Sequence, residues 1–101
     1  MKLIALMSIE EYSDVLQKML VKHKIPVFSG TDVEGYKMTE RESLETSWFS
    51  GKKSGVYSHL YFAFVAENKA DEVMSAIEVY NDSHETINPL RAFQLNVERA
   101  V

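Results

Sequence analysis

"VYSHLYFAFV", residues 56–65, carries the strongest strand signal in the chain. It is dense in β-branched and aromatic residues and alternates. Leu60, Phe62 and Phe64 fall on one face; Tyr57, His59, Tyr61, Ala63 and Val65 fall on the other. A period of two with apolar side chains on both faces predicts a strand at the centre of a sheet.

Downstream, Asn68 has the chemistry of a helix cap, and Asp71 and Glu72 would sit near the positive end of the helix dipole. Ala70, Val73, Ala76, Ile77 and Tyr80 recur at helical spacing and supply a buried stripe. "NDSHETINP", residues 81–89, reads as a loop closed by Pro89. Residues 91–100 return to strict alternation, with Phe93, Leu95 and Val97 opposed to Gln94, Asn96 and Glu98.

Upstream, residues 2–7 form an apolar run that predicts a strand ending at Ser8. Ser8 and Glu11 have capping-box spacing, and Tyr12, Leu16, Met19, Leu20 and His23 then mark a helix that should stop before Pro26. Residues 27–36 read as an edge strand interrupted by Gly30 and Gly35, where a bulge would fit.

The order is βαββαβ. This predicts an α+β, ferredoxin-like domain spanning residues 1–101, with a four-stranded antiparallel sheet and both helices on one face. The other face needs cover. With Tyr57, His59 and Tyr61 expected on it, self-association is the simplest source.

Composition narrows the function classes. The chain of 101 residues is 46% hydrophobic and 26% charged, ordinary globular usage that argues against disorder. A net charge of −4 provides no field for a phosphate backbone, so nucleic acid is not expected as a partner. With no cysteine there is no disulfide, thiolate nucleophile or cysteine-based zinc site. The opening "MKLIALM" is short for a signal peptide and runs into Glu10 and Glu11, and no segment approaches the roughly 20 apolar residues of a membrane span. A cytoplasmic protein without direct membrane insertion is expected.

Residues 38–55, between the second and third strands, far exceed the roughly 2–5 residues of a usual hairpin loop. Glu40, Glu42 and Glu45 with Arg41 precede Trp48 and Phe49, and Lys52 and Lys53 follow. Aromatics flanked by charge on a long loop either fold back to seal the sheet or a neighbouring subunit, or serve as a docking device, in which case Trp48, Phe49, Lys52 and Lys53 are candidate partner contacts.

The βαββαβ order, "TDVEGYK" (residues 31–37) leading into a long loop, and "FVAENKADEVMSAI" (residues 64–77) together resemble the PII signalling proteins and their PII-like relatives. The resemblance implies a regulatory protein rather than an enzyme. It implies a homotrimer with sheets inward, small effectors in the clefts between subunits, and a long loop that reports occupancy to a target protein such as a membrane transporter. It places ligand contacts at Gly35, Tyr36 and Lys37, and cationic contacts at Arg91 and Arg99. The region matching the family's glycine- and lysine-rich phosphate loop is "NDSHETINPLR", with neither residue, so the effector and any cofactor stay unnamed.

Two other readings compete. The histidines invite a metal site at His59 or at His84, the latter beside Asp82 and Glu85, as in CutA-like proteins linked to divalent-metal tolerance. A small ferredoxin-like monooxygenase would instead line a pocket with His59, Tyr61 and Tyr12. No Ser/His/Asp set or paired-carboxylate motif supports an enzyme.

Overall fold

The computed structural model describes residues 1–36 and 55–101. Lys37, Trp48, Phe49, Lys52 and Lys53, and the 38–55 loop apart from Gly55, lie outside the described residues. The element order is β1 (Lys2–Ile9), a 3-10 turn (Glu10–Tyr12), α1 (Ser13–Lys22), β2 (Ser29–Tyr36), β3 (Gly55–Val65), α2 (Glu67–Ser83) and β4 (Arg91–Asn96).

The described strands form one antiparallel sheet in the order β2-β3-β1-β4. Its two βαβ halves interleave their inner strands, the ferredoxin-like arrangement. β3 is central and β2 is an edge, as the alternation predicts. Among the described residues no helix is long and apolar enough to cross a membrane.

The core lies between the sheet and the helices. Ile4 and Leu6 of β1, Tyr61, Ala63 and Val65 of β3, Leu16 and Leu20 of α1, and Ala70, Val73 and Ile77 of α2 are all buried. Tyr12, Met19 and Tyr80 pack against them, half-buried.

Several local expectations give way. β1 runs through Ser8 to Ile9, so no capping box forms; buried Ser8 donates its hydroxyl to the Ile9 carbonyl, 2.9 Å away. The helix begins instead on a 3-10 turn whose Glu10 and Glu11 meet the positive end of the dipole. α2 starts at Glu67 after Ala66, not at an Asn68 cap, and it runs to Ser83, taking in three residues read as loop. β2 pairs with β3 residue for residue from Ser29 to Tyr36, without a bulge.

The largest correction concerns the faces of β3. Tyr61 and His59 stand on the helix side, opposite Leu6 and Ser8 of β1, and the bare side carries Leu60, Phe62 and Phe64. Beside them on that side lie Leu3, Ala5 and Met7 of β1 and Phe93 and Leu95 of β4. Phe64, Phe93 and Leu95 are each about half exposed. Self-association therefore has an aliphatic and phenylalanine surface to use, and His59 and Tyr61 are not on it.

α1 ends before Pro26 in a Schellman motif. The Ile25 amide donates to Leu20 O and the Lys24 amide to Val21 O, both at 3.0 Å. Lys24 occupies the left-handed position, with φ 57°, which a side chain disfavours and glycine accepts. Lys24→Gly is expected to raise stability by about 0.5–1 kcal/mol, read as a rise of a few degrees in thermal midpoint.

Candidate functional site

A groove of about 490 Å³ opens at the end of the sheet where β2 leads toward the 38–55 segment. Met7, Ser8 and Ile9 from the end of β1 line one side, with Ser58 of β3 beside them. Gly35 and Tyr36 of β2 form a second side. Ile87, Asn88, Pro89 and Arg91 close it from the α2–β4 connection.

That connection is tied down by local polar contacts. The Asn81 side-chain amide donates to Leu90 O at 2.9 Å while its carbonyl oxygen accepts from the Leu90 amide at 3.0 Å. A side chain at the end of α2 thereby copies a backbone pairing and fixes where β4 begins. Leu90 is buried beneath it. Thr86 Oγ1 accepts from the Asn88 amide at 3.1 Å and meets the Tyr12 hydroxyl at 3.5 Å. These contacts fix Asn88 and Pro89 at the sheet end, with Ile87 almost fully exposed between them and Thr86.

Three of the five expected ligand residues thus converge: Gly35, Tyr36 and Arg91 line one groove. Arg99 lies in the exposed tail beyond β4 and does not line it, and Lys37 is outside the described residues. Arg91 is the single formally charged residue among the described residues lining it. The Tyr36 hydroxyl donates to Glu34, which sets the half-exposed ring at the rim. No periodicity or motif marks Ser58, Ile87 or Asn88, and Pro89 as a loop-closing residue signals only part of this wall.

The expected metal residues lie apart. His59 Nδ1 meets Asp32 Oδ1 at 2.8 Å across the β2–β3 ladder, and its ring lies 4.4 Å from that of Tyr61. His84, at the end of α2, stacks on Tyr80 at 3.9 Å and donates from Nδ1 to the Tyr80 carbonyl. Among the described residues no three His, Cys, Asp or Glu side chains gather to hold a metal. Of the three residues of a monooxygenase pocket, His59 and Tyr61 meet ring to ring, while the Tyr12 hydroxyl is turned to Thr86. The Tyr61 phenol is held above its usual range by burial first, and then by the charges of Asp14 and Asp32.

The sequence matches no protein-family profile and no curated protein. Solved structures do match in fold. A PII-like signalling protein from Thermus thermophilus superposes with a TM-score of 0.66 at 14% identity, over 95% of this chain and 85% of that one. CPII, a nitrogen regulatory PII-like protein from Thiomonas intermedia bound to ADP, AMP and bicarbonate, matches with a TM-score of 0.61 at 10% identity, over 99% and 94%. The chain has a PII-like fold.

Proposed function

We propose that this chain is a PII-like regulatory protein, not an enzyme, that binds a small anionic effector in the groove lined by Gly35, Tyr36 and Arg91. The observation that carries this reading is the convergence of those three residues at the root of the 38–55 segment. An effector held there touches both the strand that leads into the segment and the connection after α2. Occupancy is thereby coupled to a surface that a target can read. In this reading three copies assemble through their bare sheet faces, so that the groove lies near a subunit boundary. The 38–55 segment then contacts a cytoplasmic target, such as the inner face of a transporter, through Trp48, Phe49, Lys52 and Lys53.

Effector chemistry is open to a direct screen. The relative from Thiomonas intermedia holds adenine nucleotides and bicarbonate, which makes these the first compounds to try, although the α2–β4 connection here has no glycine or lysine to cradle a phosphate. An effector at 100 times its Kd adds about 2.7 kcal/mol and should move the thermal midpoint by roughly 10 °C or more. Arg91→Ala is expected to weaken binding roughly tenfold to a hundredfold, the worth of one charge-assisted hydrogen bond, with the fold intact because Arg91 is exposed. Equal binding by the variant, or silence across the panel, overturns the reading. Divalent metals belong in the same screen, because the His59–Asp32 pair supplies two of the ligands a metal-linked function would need.

A further inference from the structure

The helix layer carries a second concavity, which shares no lining residue with the effector groove. α1 and α2 run antiparallel, with the C-terminus of α1 tied to the start of α2. Lys69 Nζ donates to the His23 carbonyl at 3.0 Å and to Glu72 at 3.0 Å, and Glu72 reaches His23 Nδ1 at 3.4 Å. Between the helices an apolar groove of about 650 Å³ runs from Glu72 to His84. Val15 and Met19 of α1 and Ala76, Val79 and Tyr80 of α2 line it. Val79 is 65% exposed, a large apolar side chain that the other described residues leave uncovered.

We propose that this groove receives an acidic amphipathic helix of a partner protein. Its length fits: Glu72 to Ser83 spans about 16 Å along α2 at 1.5 Å per residue, three turns of a bound helix. Its shape fits as well, because the groove is open along one side, where a small molecule would stay largely wet but a helix would bury one face.

Charge chooses the partner's chemistry. The α1 rim carries Lys18 and Lys22, one turn apart on one face, and neither forms an ion pair among the described residues. The α2 side of the lining is uncharged at Ser75 and Ser83, with exposed Glu78 and Asp82 beyond it, and Glu72 is already engaged by Lys69 and His23 and held below its usual range by those two hydrogen bonds. The chain as a whole is acidic, so this basic edge is a local reversal. A partner helix with carboxylates at i and i+4 beside an apolar stripe would answer Lys18 and Lys22 while covering Val79 and Met19. The groove faces away from the bare sheet face, so the inference does not depend on how that face is covered.

The test uses two labelled synthetic peptides of about four helical turns, with identical leucine stripes and with glutamate or lysine along one flank. The glutamate peptide is expected to raise fluorescence anisotropy on titration with the protein, and the lysine peptide is not. The double variant Lys18→Glu, Lys22→Glu should weaken the glutamate peptide roughly tenfold and bind the lysine peptide better than the parent does. Val79→Asp should abolish binding, whereas Arg91→Ala should leave it unchanged, separating this surface from the effector groove. Equal binding of both peptides, or no effect of the lysine reversal, overturns the proposal. So does a changed oligomeric state in the reversed variant, which would mean a second copy occupies the groove. Preferential capture by phosphatidylserine vesicles over the glutamate peptide would assign the lysines to a membrane surface instead, and overturns it equally.

Discussion

Phe93→Asp is expected to turn an assembled protein into a folded single chain. Phe93 lies on β4 opposite Ala5 of β1, on the side of the sheet that the helices leave bare, and it is 53% exposed. Leu95, Phe64 and Phe62 surround it, with the Phe62 and Phe64 rings edge to face at 6.5 Å. Covering a half-exposed Phe or Leu gives roughly 1 kcal/mol, and several such residues on every copy supply a strong drive to associate. An aspartate on the covered surface would lose several kcal/mol of hydration, which Arg91, two residues away on the same face of β4, offsets only in part. The assembly constant should fall by orders of magnitude. The isolated fold should barely notice, because the aspartate then faces water. Light scattering coupled to size exclusion would show three chain masses for the parent and one for the variant, with unchanged circular dichroism. A parent that already runs as a single chain at micromolar concentration, or a variant that stays assembled, removes the sheet face from the interface.

The order of elements was legible because periodicity is a local property. Leu16 and Leu20, or Val73 and Ile77, can recur at helical spacing only if one helix face is buried, and both pairs are. Which face of β3 the helices cover is not local. Both faces are apolar, so alternation alone cannot choose between them; the structure sets Tyr61, Ala63 and Val65 under the helices and leaves Phe62 and Phe64 on the bare side. β4 compounded the ambiguity, since its clean apolar face, Phe93 and Leu95, turns away from the core. The candidate site was half visible. Gly35, Tyr36 and Arg91 could be named because the resemblance to PII-like proteins assigns roles to the loop base and to arginines after α2. The clamp from Asn81 to Leu90 could not, because a nine-residue reach from a helix end to a strand start leaves no periodic trace.

Gly30 is a further residue whose reason lies outside its own segment, and Gly30→Ala is expected to destabilise the fold by about 1–3 kcal/mol. The sequence offered a bulge as its role, but β2 is regular there and Gly30 pairs directly with Tyr61. A methyl group at Gly30 would sit 2.8 Å from Tyr61 Cε1, 2.9 Å from Cδ1 and 2.9 Å from His59 Nε2, closer than carbon contacts allow. Neither ring can retreat freely. Tyr61 is buried, with Phe28 edge-on at 5.8 Å, and His59 is held by its 2.8 Å contact to Asp32. Elsewhere on an edge strand alanine would be the better residue, since glycine gives up more backbone freedom on folding. The sign of the effect therefore depends on the two rings alone. The thermal midpoint of Gly30→Ala should drop by roughly 5–20 °C. In a Tyr61→Leu background, with the ring gone, the same change should cost far less, a coupling that a double-mutant cycle reads directly. A midpoint that rises on Gly30→Ala with Tyr61 in place would show that the rings yield, and that the glycine serves some purpose other than admitting them.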